Sequence, residues 1–338
     1  MCPKRCAGIE RITGFSMKFY TFVDYATQAY ALFVGLLVLL FHNGTVPHWP
    51  AIVAIHTGIL LTVHSLIHWH GRGSPPAPVR FVRHFYPVLL YTWFFFETGL
   101  LNRMFALEYL DPMVIRWEQA LFGCQPSVLF MEKFLSVFVS EIFYAAYFSY
   151  YIMIAGVGIA LLVRSKTQFF HYISVVSFLF YICYTVYLFL PVIGPRVFFR
   201  EIAGYDLPED LQLLSPVEHY PDSVKAGPFF QIMALIYRHF EAPGAALPSS
   251  HVAVAICTVF FSFRYLRKIR FLHLAIATLL CLSTVYCRYH YVVDVLAGMI
   301  TAALVIPFGN WLYFKFGEPL NRETKSKGET VTAASSGA

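Results

Sequence analysis

Eight stretches of this chain are mostly apolar over about 20 residues each, the length a helix needs to cross a bilayer. They lie at about 24–41, 50–68, 85–102, 137–163, 169–190, 250–266, 271–287 and 292–315. Lipid offers no partner to a backbone N–H or C=O, so an apolar run of that length must satisfy itself as a helix. The constraint predicts an all-α, polytopic membrane bundle of about eight transmembrane helices. Composition agrees, because 13% of the 338 residues are charged, against about 25% in a soluble domain. Two long connections, 103–136 and 191–249, interrupt the pattern, and no internal repeat is visible.

Lys and Arg predict the orientation. Seventeen of the 25 fall in the N-terminal tail, in the second-to-third, fourth-to-fifth and sixth-to-seventh connections, and in the C-terminal tail. Those segments share one side of an eight-span topology, so both termini are expected in the cytoplasm. The predicted organisation is a cytoplasmic tail (1–23), two N-terminal helices (24–84), six further helices (85–316) and a disordered cytoplasmic tail (317–338). The basic N-terminus is followed by the polar, aromatic YTFVDYATQAY and by no small-residue cleavage site, which reads as a tail rather than a signal peptide. The net charge of +6 is spread over short loops, which fits membrane orientation and not nucleic-acid binding. The seven cysteines form no CxxC and lie mostly in apolar runs, as packing residues do.

Three polar clusters fall at helix ends on the predicted extracytoplasmic side. They are FLPVIGPRVFFR (189–200), LPSSHVAVA (247–255) and STVYCRYHYVVDVLAG (283–298). Polar groups at membrane depth are costly and usually functional. Ser249 or Ser250 can cap the sixth helix after Pro248, and that helix end favours an anion, typically a phosphate. Arg196 and Arg288 add permanently charged planar donors. His290 and Asp294 are four apart and so neighbours on one helical face, where the carboxylate would orient the imidazole. With His251 as a second imidazole, the set suits phosphoryl transfer. His290 would attack phosphorus, Asp294 would orient it, and His251 would act as acid and then base. Arg196, Ser249, Ser250 and Arg288 would hold the phosphate oxygens. The scheme uses no metal and no cofactor.

These residues resemble the motifs of the type 2 phosphatidic acid phosphatase superfamily, which also includes vanadium haloperoxidases and inositol phosphorylceramide synthases. Pro248-Ser249-Ser250-His251 is similar to that family's P-S-G-H. Ser283, Thr284, His290 and Asp294 match the positions of its S-R, five residues, H, three residues, D. Arg196 matches the Arg of its first motif, but Phe189 replaces the Lys and Val197 the Pro. The resemblance implies a six-helix core over the last two-thirds of the chain and a phosphohistidine intermediate. Two family cations are missing, at Phe189 and Thr284, and Arg288 is a candidate substitute. GPR without the upstream Lys, Tyr286 to Asp294 read as YxxxHYxxD, and the segment holding Asp111, Leu121-Phe122-Gly123 and Pro126 look most like the inositol phosphorylceramide synthase branch. That branch moves a head-group phosphate onto a lipid alcohol. Fewer cations suit a phosphodiester.

The residues and the resemblance together predict a membrane lipid phosphatase or phosphotransferase acting on a lipid phosphate, with water or a lipid alcohol as acceptor. The rivals are a transporter and a non-catalytic lipid-binding protein. No oligomeric state is read from the sequence. Residues 111–127 are expected to form an interfacial helix, with Met113, Ile115, Trp117, Leu121 and Phe122 on lipid and Arg116 and Glu118 toward water. His56, His64 and His68 share one helical face, where helix–helix hydrogen bonding is preferred to a metal site. Glu97 and Glu141 are expected either to bind a head group or to pair with Arg103 or Arg116. Tyr144, Tyr147, Tyr150 and Tyr151 are expected to serve as interfacial aromatic belt and packing rather than as a substrate cage.

Overall fold

A computed structural model describes residues 19–73, 75–199, 220–240 and 243–316. The expected tails fall largely outside these residues. The elements are α1 (Phe22–Phe41), α2 (Trp49–Gly71), α3 (Ala77–Leu101), α4 (Asp111–Phe122), α5 (Pro126–Lys133), α6 (Val137–Arg164), α7 (Lys166–Phe189), α8 (Pro195–Phe198), α9 (Asp222–Lys225), α10 (Pro228–Phe240), α11 (Ser250–Tyr265), α12 (Arg270–Tyr286) and α13 (Val292–Phe316). No strand occurs among the described residues. A long helix stands in each of the eight expected places, and the chain is an all-α integral membrane bundle.

Five of the eight (α1, α2, α6, α7 and α13) are long and apolar enough to span by length and composition. α3 starts eight residues earlier than the apolar run and carries Arg80, Arg83 and His84 in its first two turns. α11 and α12 have only 16 and 17 residues. At 1.5 Å per residue, 16 residues reach about 24 Å, short of the roughly 30 Å hydrocarbon core. The N-terminus of α11 therefore meets the middle of α6 rather than its end. A recess is left at one end of the bundle, and the described parts of the long connections pack there.

α7 is the central post. Its apolar window is 72% buried, against 22–44% for the other four spanning helices, and it packs on α1, α3, α6, α11 and α13. In lipid, apolar contact alone gives little drive to associate, so close packing and interhelical hydrogen bonds carry more of the work. Asp24 shows this. Its carboxylate accepts from the Thr21 N–H at 2.7 Å as a helix cap, from Arg83 Nη2 at 2.6 Å and from the Tyr86 hydroxyl at 2.6 Å, tying α1 to α3. His171 joins Tyr265 and Asn310 at 2.8 and 2.7 Å, linking α7 to α11 and α13. Cys183, Cys257 and Cys287 are buried free thiols packed in the core.

One expectation changes here. Glu97 pairs with neither Arg103 nor Arg116. Its Oε1 lies 2.7 Å from His56 Nε2, and both side chains are about 1% exposed. An intramembrane carboxyl takes the buried imidazole across the α2–α3 interface because no water is there to solvate it. On the same α2 face, His64 Nδ1 bonds the Tyr20 hydroxyl at 2.7 Å, and His68 packs edge-on to Phe19. Among the described residues no group of three or more His, Cys, Asp or Glu is placed to hold a metal ion.

Glu97→Leu should leave His56 unsatisfied and destabilise the bundle by about 1–3 kcal/mol. The double variant Glu97→Leu/His56→Phe should recover part of that loss. Thermal unfolding in detergent tests this, and additive losses would contradict it.

Candidate active site

The recess is organised by buried carboxylates that accept backbone N–H groups. Asp111, at the start of α4, accepts from Ile193 N and Gly194 N, both at 2.9 Å, and from the Tyr291 hydroxyl at 3.0 Å. Glu118, two turns later, accepts from Val292 N at 2.5 Å and Val293 N at 3.3 Å, capping α13. Glu118 is fully buried, so the expectation that it faces water is corrected. The exposed face of α4 holds Trp117, Leu121 and Phe122, while Ile115 is buried. Glu141 is corrected likewise. Its carboxylate accepts from Phe229 N at 2.8 Å and Phe230 N at 3.2 Å, capping α10.

Three loops meet on this frame. Ala246 N donates to Val192 O at 2.8 Å, joining the segment after α7 to the segment before α11. Ser249 N donates to Asp294 O at 3.0 Å, joining α11 to α13. That approach requires Gly298, because a Cβ there would lie 2.6 Å from Ser249 O. Gly194 has φ +85°, and a Cβ would lie 2.5 Å from Tyr289 O. Only glycine suits that position, and it turns the chain into α8, which carries Arg196.

α12 ends in a Schellman turn. Arg288 N donates to Val285 O and Tyr289 N to Thr284 O, both at 3.0 Å, and His290 N adds a second bond to Thr284 O at 3.0 Å. Arg288 occupies the left-handed position of this turn with φ 61°, where glycine is usual and another residue costs about 1–2 kcal/mol. Its Nη2 lies 3.6 Å from Glu132 and donates to Val128 O at 3.3 Å, so the guanidinium is anchored on α5. The turn fixes where His290 points.

His290 Nδ1 lies 3.4 Å from Asp294 Oδ2, and the same oxygen accepts the Tyr291 N–H at 2.9 Å. Asp294 is thus both a helix cap and a neighbour of the imidazole. On the other side of the ring, His290 Nε2 lies 3.4 Å from His251 Nδ1. His251 Nε2 lies 3.0 Å from the Tyr147 hydroxyl, which is also hydrogen-bonded to the Tyr237 hydroxyl. The ring centroids of Tyr150 and His251 are 4.4 Å apart. Burial pushes the His290 imidazole down to about 3, so it is neutral near pH 7. Arg196 is 9% exposed. Its guanidinium sits 4.4 Å from the Tyr237 centroid and 5.4 Å from that of Tyr289, and Tyr289 packs 4.3 Å from Tyr147.

At α11, Ser249 Oγ accepts from Val252 N at 3.4 Å, and Ser250 N donates to the Tyr187 hydroxyl at 3.3 Å. Two of the first donors of that helix end therefore have partners already. Phe189 stacks on Phe105 with centroids 4.6 Å apart. The Thr284 hydroxyl bonds Cys281 O at 2.7 Å. Neither position supplies a cation.

A cavity of about 810 Å³ opens from Ser250 and His251 between α3, α6, α7 and α10. Its walls are chiefly aromatic, including Tyr91, Trp93, Phe96, Tyr150, Tyr184 and Tyr237. Phe96 is also exposed on the outer face of the bundle. Tyr144, Tyr147 and Tyr150 are buried packing residues, as expected in part, but they lie beside or within the site rather than in an outer belt, and Tyr150 and Tyr151 line the cavity. Tyr237 had no sequence reading. Its helix, PFFQIMALIYRHF, opens on proline and alternates at helical period, a signal that was available.

The sequence matches the profile of the PAP2 superfamily over residues 113–308, more than half of the chain. The chain belongs to that superfamily. Its members generally are phosphatases and phosphotransferases, and a phosphatase-type activity on lipid phosphates is supported here in general terms. The matched segment runs from α4 to α13 and contains Arg196, His251, His290 and Asp294. Searches of curated proteins and of solved structures return no match.

Gly194→Ala should displace the Arg196 loop from Tyr289. Activity should fall at least tenfold while the overall helix content by circular dichroism is unchanged, since the loss of one oriented charge donor costs about 10²–10³ in kcat where it acts on a transition state. Wild-type activity in this variant would contradict the placement. Burial also pushes Asp111 and Glu118 up to about 7. The folded protein then holds these protons to higher pH than the unfolded chain, so this contribution to stability falls as pH rises from about 4 to about 7. The advantage in Tm of wild type over Asp111→Asn/Glu118→Gln should shrink between pH 5 and pH 8. An advantage independent of pH would contradict it.

Proposed function

We propose that this protein cleaves a lipid phosphate ester through a covalent phosphohistidine on His290. The observation that supports it most is the facing pair: His290 Nε2 and His251 Nδ1 are 3.4 Å apart, with Asp294 behind one ring. The two nitrogens are in hydrogen-bond contact, so a phosphoryl group must part them on entry; it then has a nucleophile on one side and a proton donor on the other, as in-line displacement requires. His290 Nε2 forms the N–P bond. His251 gives its proton to the leaving oxygen, then takes one from the acceptor, whose oxygen attacks phosphorus and breaks the N–P bond. Asp294 orients His290 and offsets the charge that develops on it.

Arg196, with Ser249 and Ser250 at the start of α11, holds the phosphoryl oxygens. Arg288 contributes from further out, through the turn that aims His290. The aromatic cavity reaches His251, the side on which the leaving group and the acceptor must lie. It suits an acyl or alkyl chain entering from the bilayer. The active site is assigned to the extracytoplasmic face, with both termini cytoplasmic, by the Lys and Arg distribution.

A second reading favours a lipid alcohol over water as acceptor, as in the inositol phosphorylceramide synthase branch. It is supported by the apolar wall beside His251 and by the uncharged side chains at Phe189 and Thr284. An apolar chain held there excludes water from the intermediate, and fewer cations suit a phosphodiester.

The test uses purified protein in detergent with labelled phosphatidic acid, and separately with labelled phosphatidylinositol with and without ceramide. Inorganic phosphate from the first, reduced to background in His290→Ala, is the phosphatase outcome. A new phosphoinositol lipid that needs ceramide is the transferase outcome. Equal behaviour of wild type and His290→Ala on both substrates would falsify the proposal.

A further inference from the structure

The two imidazoles of the site are held differently. His290 has a carboxylate at its outer nitrogen, Asp294 Oδ2 at 3.4 Å. His251 has a neutral phenol at its outer nitrogen, the Tyr147 hydroxyl at 3.0 Å. Tyr147 in turn is hydrogen-bonded to Tyr237. The resulting line runs Asp294, His290, His251, Tyr147, Tyr237, with α13, α11, α6 and α10 each supplying at least one member.

An ionised carboxylate only accepts hydrogen bonds, whereas a hydroxyl both donates and accepts. With Asp294 ionised at one end, the line has one consistent order. His290 donates Nδ1–H to Asp294, His251 donates Nδ1–H to His290 Nε2, and Tyr147 donates to His251 Nε2. This order leaves the lone pair of His290 Nε2 facing the place where phosphorus must arrive. When His251 is protonated, the Tyr147 hydroxyl turns round and accepts its Nε2–H, so the transferable proton stays on Nδ1. A carboxylate in place of Tyr147 would retain the imidazolium. A phenol releases it.

We propose that Tyr147 is the positioning residue of His251, and that Tyr237 supports it by tying α10 to the site. The proposal rests on the phosphohistidine reading above and deepens it: the asymmetry between a carboxylate and a phenol decides which histidine is nucleophile and which is acid. In the first step the His290 Nε2–P bond forms, the P–O bond breaks, and the Nδ1 proton of His251 goes to the departing oxygen. His251 is left neutral with Nε2–H on Tyr147. In the second step the acceptor O–H proton goes to Nδ1 as the acceptor oxygen bonds to phosphorus and the P–N bond breaks.

The groups that face His251 are Tyr147 and Tyr150 from α6 and His290 from the turn after α12; Tyr289 and Tyr237 pack on Tyr147, with Arg196 over Tyr237 and Asp294 behind His290. Tyr187 of α7 is engaged by Pro248 O and Ser250 N. Tyr147 is the phenol whose hydroxyl meets the outer nitrogen of His251.

The experiment compares kcat/KM of wild type, Tyr147→Phe and Tyr237→Phe on two esters. One is the lipid cleaved in the assay above, whose leaving oxygen is an alkoxide that needs a proton. The other is its analogue with a 4-nitrophenyl leaving group, which departs as a phenolate without one. Phenylalanine keeps the ring that packs on Tyr289 and His251. Tyr147→Phe should lose about tenfold or more on the alkyl ester, a part of the 10²–10⁴ that a placed acid contributes, and should stay close to wild type on the nitrophenyl ester. Tyr237→Phe should show the same pattern with a smaller loss.

Equal losses on both esters would assign Tyr147 a structural role and overturn the proposal. No loss on either ester would overturn it as well. A Tyr147→Phe protein that does not fold leaves Tyr237→Phe to decide, since an alkyl-selective loss there supports the relay and a uniform loss or none rejects it. A wild type inactive on both esters removes the phosphohistidine reading itself, an outcome distinct from the others.

Discussion

The need to satisfy backbone N–H groups where water is scarce shapes this site. Two helices, α11 and α12, are short for the hydrocarbon, and the N-terminus of α11 and the C-terminal turn of α12 are buried at one end of the bundle. A buried, unpartnered amide costs free energy comparable to a lost hydrogen bond, and acidic side chains meet that cost here. Asp111 takes the amides of Ile193 and Gly194, Glu118 those of Val292 and Val293, Asp294 that of Tyr291, and Glu141 those of Phe229 and Phe230. The clamps of Asp111, Glu118 and Glu141 join segments distant in sequence, and that of Asp294 caps its own helix. Together they hold the Arg196 loop, the turn that aims His290, and the start of α10 where the proposed chemistry needs them.

The arrangement separates holding from reacting. Asp111, Glu118 and Glu141 bind backbone and leave the histidines to face each other. Asp294 does both, since one oxygen caps α13 and also lies beside His290. Structural and chemical readings of that residue are therefore not rivals. Arg288 shows the same economy. It sits strained in a position that glycine usually fills, and its guanidinium ties the turn to α5.

Much of this was legible in the chain. Apolar runs located the eight long helices because lipid forces long apolar segments to be helical. The helix ends carrying Arg196, His251 and His290 could be assigned to one face from Lys and Arg positions alone, and the structure brings the two histidines together. Tertiary packing decided the rest. The spacing of Tyr144, Tyr147 and Tyr150 gives one helical face, but not whether lipid or another helix covers it. Glu118 looked solvent-facing because a lone carboxylate on an amphipathic helix usually is, and its partner amides lie over 170 residues away. Glu97 was weighed against the arginines, when its partner was His56 on the neighbouring helix. Tyr237 lies on a helix of only 13 residues inside a long connection, too short to stand out as a spanning run.

The account turns on whether His290 carries phosphorus during turnover. The direct measurement is to quench the protein with a lipid labelled at phosphorus, digest it and sequence the labelled peptide by mass spectrometry. Phosphorus bound to histidine is lost in acid and retained in alkali. The account predicts an acid-labile, alkali-stable label on the peptide containing His290, absent in His290→Ala and accumulating when the acceptor is withheld. Turnover with no trapped label, or a label on another residue, would contradict it.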